Sequence, residues 1–280
     1  MAAIVFLVET FLVAAGAGVL GSMLGLGGGV ILVPVLTLVL GLDIQYAIGA
    51  SIVSVIATSS GAAAAYLRDG VTNIRIGMVL ETATTTGAIT GAFVAAYIGG
   101  SALYLIFAVV LLYSAFVMFR RRDVELPVGV QMGRLAGMLG LGGSYYDVAL
   151  SQQVRYNVRG VRYAMPLMFI AGAVSGLLGI GSGVLKVPAM DIAMKLPMKV
   201  STATSNFMIG VTAAASAGVY FMRGYINPFV AAPVALGVLV GAAVGTRIMM
   251  RTRSTWIRRL FVLVLVVVAV QMLAKAVGLK

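Results

Sequence analysis

The sequence predicts an all-α polytopic membrane protein made of two inverted-topology repeats. Each repeat has about five helical segments, with glycine-tipped broken helices or re-entrant hairpins. Three observations predict this. First, the 280 residues are 61% hydrophobic and only 10% charged, with a mean hydropathy of +1.08. One soluble core cannot hide that much apolar side chain, so the surplus must face lipid. Second, GLGGGVILVP (Gly25 to Pro34) returns as GIGSGVLKVP (Gly179 to Pro188), an offset of 154 residues. Third, Lys and Arg gather in short stretches between apolar runs, as membrane orientation requires.

The 154-residue register runs on without a gap. It aligns Ser51 with Ser205, Thr58 with Thr212, Tyr66 with Tyr220, Asn73 with Asn227, Gly87 with Gly241 and Gly91 with Gly245. Self-similarity at one fixed offset is the mark of a duplicated unit. Residues 1–119 form the first repeat, with segments expected at 3–24, 30–41, 44–67, 74–98 and 101–119. Residues 120–162 form a polar linker, and residues 163–280 form the second repeat, with segments at 163–178, 184–195, 199–221, 228–250 and 256–277. Five segments is an odd number, so the second unit should lie upside down. With the linker in the cytoplasm, 15 of the 20 Lys and Arg fall inside. Arg223, Lys275 and Lys280 fall outside, and Lys186 and Arg247 lie within segments. Both termini then face outward. The first apolar segment carries Glu9 and has no basic stretch before it, so it reads as a mature helix and not as a signal peptide.

Several function classes are unsupported. The net charge of +12 follows the loops rather than a nucleic-acid face, so no nucleic-acid partner is expected. The chain contains neither Cys nor His. That removes disulfides, thiol chemistry, Ser-His hydrolysis and most zinc sites; no metal or cofactor is expected. No GxxxxGK[ST] motif is present to bind ATP. Tyr145, Tyr146 and Asp147 are similar to one half of an intramembrane aspartyl protease pair, but the partner GxGD is absent. An enzyme is not expected.

The candidate site lies at the two glycine-rich breaks. Each precedes a segment too short to span the hydrocarbon core of about 30 Å unaided. Short, Gly-interrupted segments at matching places in two halves point to a transport site. Tight helix packing is the plainer explanation for the glycines. Gly27, Gly28 and Gly29 form one tip, and Gly181, Ser182 and Gly183 the other. Each tip opens a helix whose free N–H groups attract anions. Lys186 lies one turn past the second tip, where Leu32 stands in the first repeat. A Lys at mid-membrane costs about 2.5–3.5 kcal/mol, so it marks either an anion partner or a chain snorkelling to the surface. Ser51, Thr204, Ser205 and Asn206 could donate to the same anion, or bond their own helix backbone. Among buried acids, Glu81 suits proton relay or a pair with Arg247, and Asp191 suits a surface pair with Lys195 four residues on.

GLGGGVILVP with GASIVSVIATSSGAAAAYLRDG, and GIGSGVLKVP with KVSTATSNFMIGVTAAASAGVYFMRGYI, resemble the sulfite exporter TauE/SafE family, also called the toluene-sulfonate uptake permeases. The resemblance spans nearly the whole chain, including YYDVALSQQVRYNV in the linker. It implies a secondary transporter, exporter or permease, of small sulfur-containing anions such as sulfite, sulfonates or sulfoacetate. The implied location is a prokaryotic inner membrane. An anion channel on the same scaffold is the alternative. The partners expected are the small anion and the lipid bilayer; oligomeric state is open, a homodimer included.

Overall fold

The computed structural model describes residues 2–38, 40–120 and 129–277. Arg121, Arg122 and Lys280, which belong to the expected charge pattern, lie outside the described residues, as does the side chain of Arg258. Residues up to 119 hold α1 (Ala2–Leu24), α2 (Gly29–Leu38), α3 (Ile44–Arg68), α4 (Ile74–Val94), a 3-10 turn (Ala95–Tyr97) and α5 (Gly100–Phe119). The linker holds α6 (Arg134–Met138), β1 (Gly143–Asp147) and β2 (Gln152–Tyr156). After it come α7 (Val161–Leu178), which begins two residues inside the expected linker, α8 (Gly183–Ala193), α9 (Met198–Met222), α10 (Pro228–Arg251) and α11 (Ser254–Ala276).

Among the described residues, six helices are long and apolar enough to cross a membrane: α1, α3, α7, α9, α10 and α11. Their outer faces expose large apolar side chains, among them Leu236, Val240, Leu263 and Val270. The short second segments are as short as expected, with 10 residues in α2 and 11 in α8. At 1.5 Å per residue each is about 15 Å long. Asn73 and Asn227 cap α4 and α10 by accepting the amides of Ile76 and Phe229. A matching cap at matching repeat positions ends each connecting loop in the same way.

The helices pair between the two halves of the chain: α1 packs on α10, α4 on α7, α3 on α9 and α5 on α11. Glycines permit the close approach. Methyl groups on Gly87 and Gly91 of α4 would strike the carbonyls of Phe169 and Ala173 on α7. Methyl groups on Gly241 and Gly245 of α10 would strike those of Ala15 and Val19 on α1. Both sets of contacts recur at the 154-residue offset. Small residues let helix backbones touch where no hydrophobic force separates protein from lipid.

The linker corrects the all-α expectation. β1 and β2 form an antiparallel hairpin in which Tyr145 faces Val154. Alternation drives it: Tyr145, Asp147 and Val154 point inward while Tyr146 is exposed. Asp147 is buried, and its Oδ1 accepts the amides of Ala149 and Leu150 at the turn. The same oxygen accepts Lys199 Nζ at 2.8 Å, and Lys199 also donates to the Met250 carbonyl at 3.2 Å. Lys199, expected as a loop charge, is instead fully buried in the first turn of α9. Asn73 Nδ2 adds a second tie, to the Leu141 carbonyl and the Tyr156 hydroxyl. The linker is therefore fastened to the starts of α4 and α9 and the end of α10.

Candidate functional site at the paired glycine tips

The two breaks meet at the centre of the protein. In the first tip, the amides of Leu26 and Gly27 both turn back to the Gly21 carbonyl. Gly25, Gly27 and Gly28 take positive φ, as do Gly179 and Gly181 in the second tip. Such backbone favours glycine. The Gly28 carbonyl accepts Ile31 and Leu32 at 3.1 Å each, and the Ser182 carbonyl accepts Leu185 and Lys186 at 3.1 and 2.8 Å. These carbonyls start α2 and α8 one residue outside their first turns. The amides just before those of Ile31 and Leu185, of Gly29 and Val30 in α2 and of Gly183 and Val184 in α8, have no intrahelical acceptor.

The tips are fixed by reciprocal hydrogen bonds. Ser51 Oγ donates to the Gly179 carbonyl at 2.8 Å, and Ser205 Oγ donates to the Gly25 carbonyl at 2.9 Å. The hydroxyl of Tyr66 donates to the Ser22 carbonyl, and that of Tyr220 to the Gly176 carbonyl, each at 3.0 Å. Every partner in one bond of a pair is 154 residues from its counterpart in the other.

The tips are also closed on one another. A methyl on Gly183 would overlap the Gly25 carbonyl, and one on Gly29 would sit 3.0 Å from the Gly179 carbonyl. Val55 and Ile209 complete the seal. A methyl on Gly27 would lie 3.1 Å from each of them, and one on Gly181 3.2 and 3.1 Å from the same two. These two residues are again 154 apart, one turn after Ser51 and Ser205. Sequence reasoning missed them because they are apolar among apolar neighbours; their register was the available signal.

The expected polar residues divide into three groups. Ser51 and Ser205 hold the tips. Thr204 turns away and accepts the Asn73 amide at 3.1 Å. Asn206 Nδ2 donates to the carbonyls of Ser22 and Thr202, at 2.9 and 3.2 Å. Its Oδ1 is buried without a protein partner, as are Ser182 Oγ, Ser201 Oγ and Thr202 Oγ1. Ser182 begins α8, and Thr202 lies against Gly25. Unmatched buried polar atoms cost about 1–3 kcal/mol each, and those of Ser182 and Thr202 lie beside the tips. Ser59, which sequence reasoning did not single out, ties α3 to α9 by donating to the Asn206 carbonyl and accepting the Gly210 amide.

Lys186 and Glu81 are brought together by the fold. Lys186 does not snorkel: it is fully buried. Its Nζ donates to Glu81 Oε2 at 3.2 Å and to Thr212 Oγ1 at 2.6 Å. Glu81 pairs with Lys186 and not with Arg247, which lines a separate cleft with Arg68 and Asp69. Depth along a helix suggested Arg247, but α8 enters between α9 and α7 and brings Lys186 to α4. The Glu81 carboxylate also accepts Thr84, Thr85 and Thr212 at 2.8, 3.0 and 2.5 Å. The cluster has no counterpart at the 154-residue offset: Leu32, Thr58 and Ala235 stand at the offset positions of Lys186, Thr212 and Glu81. Asp191 is buried farther along α8 and is not free.

Comparison with known proteins places the chain. The family model described as Sulfite exporter TauE/SafE matches residues 10–272. The probable membrane transporter protein YunE of Bacillus subtilis is 24% identical over 268 residues, covering 93% of this chain and 95% of that protein. The probable membrane transporter protein YdhB of the same organism is 25% identical over 231 residues, covering 82% and 85%. A probable membrane transporter protein of Xylella fastidiosa is 24% identical over 273 residues, covering 94% and 95%. No solved structure matches. With a family match over nearly its full length, and six apolar helices of spanning length, the chain is a multi-pass membrane transporter, not an enzyme, and belongs to the sulfite exporter TauE/SafE family.

Proposed function

We propose that this transporter carries small sulfur-containing anions, such as sulfite, sulfonates or sulfoacetate, across a prokaryotic inner membrane, through a site at the two glycine tips. The observation that carries the reading is the tip pair itself. Two helix N-termini converge there, each worth roughly half a positive charge. The Ser182 hydroxyl at the start of α8, and the Ser201 and Thr202 hydroxyls in the first turns of α9, have no protein partners. The proposed binding groups are Gly27, Gly28, Gly29, Gly181, Ser182, Gly183, Ser51, Ser205, Asn206 and Lys186, without Thr204, which is held by the Asn73 amide. The family's description supplies the sulfur chemistry; the relatives' names say only membrane transporter.

The two halves are inverted copies that open alternately, with the linker in the cytoplasm and both termini outside. Reciprocal bonds at one offset support the duplication, and the charge distribution supports the orientation. The seal formed by Val55 and Ile209 favours a carrier over an open channel, because nothing passes until the tips part. Single-cysteine labelling at position 130 checks the orientation: strong labelling from outside intact cells would overturn it.

Proteoliposomes test the substrate class. Uptake of sulfite, thiosulfate, sulfoacetate, methanesulfonate and taurine is compared with that of simple carboxylates. At least one sulfur anion should enter fastest, and carboxylate-only uptake would sink the assignment. In the same assay, Val55→Ala with Ile209→Ala removes the seal from both sides. The pair is expected to leak anions down their gradient at least about tenfold faster than the parent, the change that about 1.4 kcal/mol of barrier produces. An unaltered leak would show that these side chains do not close the path.

A further inference from the structure

Resting on the transport reading above, we infer that Glu81 is the coupling-proton site: it holds Lys186 while no anion is bound, and takes up a proton when Lys186 turns to the anion. One buried cation then serves two anionic partners in turn. The Lys186 amide donates to the Ser182 carbonyl at 2.8 Å, so its stem begins one turn from the second tip. Its flexible four-carbon chain serves either direction.

Charge balance demands the proton. At rest the site holds Lys186 as a cation and Glu81 as an anion, and is neutral. When a monoanion takes the ammonium, a charged Glu81 is left buried without a cation, which a low-dielectric interior opposes strongly. Protonation restores neutrality: ammonium, bound anion and neutral carboxyl. No bond other than O–H forms, and the proton leaves with the anion on the far side. One proton and one monoanion thus move together without net charge.

The surroundings suit a carboxyl that changes state. Hydroxyls of Thr84, Thr85 and Thr212 contact it, and a hydroxyl can donate to a carboxylate or accept from a carboxylic acid. Glu81 retains 9% exposure while Lys186 has none, so of the two the acid lies nearer the surface of the protein. Among the described residues, the ion pair of Lys186 is with Glu81. On α4 itself Arg75 lies at the first turn. On α7 the ionisable side chains are Arg162 and Tyr163 at its start; on α9 they are Lys199, held by Asp147, and Tyr220, bonded to Gly176. On α8 Asp191 stands more than a turn beyond Lys186, and the 3-10 turn after α4 carries only the exposed Tyr97. Ala235 and Leu32 at the offset positions mean that the device occurs once, so the stoichiometry is one.

The test is proton uptake on binding. Purified protein in weakly buffered detergent solution is mixed with methanesulfonate, which carries no titratable proton near neutral pH. About one proton per bound anion should leave the solution, the linkage expected when one site changes state. Glu81→Gln should bring that ratio to about zero, and Glu81→Asp, which keeps the acid, should restore it. In proteoliposomes the parent should accumulate the anion when the outside is made acidic. Binding without proton uptake, an undiminished ratio in Glu81→Gln, or accumulation that follows sodium instead would each overturn the proposal. If methanesulfonate does not bind, the substrate reading is at fault, and infrared difference spectra decide the proton site separately. A protonated-carboxyl band that appears on acidification and is lost in Glu81→Gln supports it; a spectrum without that band overturns it.

Discussion

Replacing Lys186 with methionine is expected to destabilise the purified protein by about 3–4 kcal/mol at neutral pH and by far less in acid. Methionine keeps the length of the side chain and removes its charge. Glu81 then has only the hydroxyls of Thr84, Thr85 and Thr212 around it. Two outcomes compete. An uncompensated buried carboxylate costs about 3–5 kcal/mol. Protonating a carboxyl of ordinary affinity costs about 1.4 kcal/mol for each pH unit above about 4.3, or about 3.7 kcal/mol at pH 7. The cheaper route sets the ceiling, so the loss is about 1 kcal/mol near pH 5. The sign follows from linkage: the folded variant binds a proton that its unfolded chain lacks, so its deficit grows as pH rises. Adding Glu81→Gln removes both charges. The double variant should recover to within about 1 kcal/mol of the parent, because neutral replacement of a buried pair is tolerated where breaking it is not. Thermal unfolding in detergent across pH measures this. A loss in Lys186→Met that ignores pH, or a double variant as weak as the single one, would mean that the pair does not govern stability here.

The sequence made the helices legible because lipid leaves few options: a backbone in hydrocarbon must satisfy its own hydrogen bonds, so long apolar runs become helices. The candidate tips were legible for a different reason. The duplicated register marks Ser51 with Ser205 and Tyr66 with Tyr220, and in the fold these are the groups that bond to carbonyls beside the breaks. What escaped were relations that depend on which elements become neighbours. Glu81 and Lys186 are 105 residues apart and share no register, since their offset partners are Ala235 and Leu32. Only the docking of α8 against α9 and α7 brings them together. The hairpin of β1 and β2 was missed because its strands are 5 residues each and rich in polar side chains. Alternation of Tyr145 and Asp147 against Tyr146 was present, but so short a period-two signal is weak without a known packing face.

Gly183→Ala is expected to reduce transport by about 10- to 100-fold while the protein still inserts, whereas Gly218→Ala leaves it near normal. Both glycines are helical, and alanine alone would favour a helix interior by up to about 1 kcal/mol. Any loss at Gly183 is therefore steric. There the new methyl would overlap the Gly25 carbonyl and lie 2.9 Å from Ile209 Cδ1. Ile209 can rotate aside. The carbonyl cannot, because it is backbone and accepts Ser205 Oγ at 2.9 Å. At Gly218 nothing lies within 4 Å of the added methyl. Overpacking of this kind costs about 1–3 kcal/mol, and each 1.4 kcal/mol is about tenfold in a population. The closed tip pair would thus lose about one to two orders of magnitude relative to the open forms. A carrier must pass through its closed form in every cycle, so uptake falls with that population; a channel has no such requirement. Uptake into proteoliposomes at equal inserted protein is the measurement. Parental rates in Gly183→Ala would show that the contact between the tips is not an obligatory state and would return the glycines to a packing role.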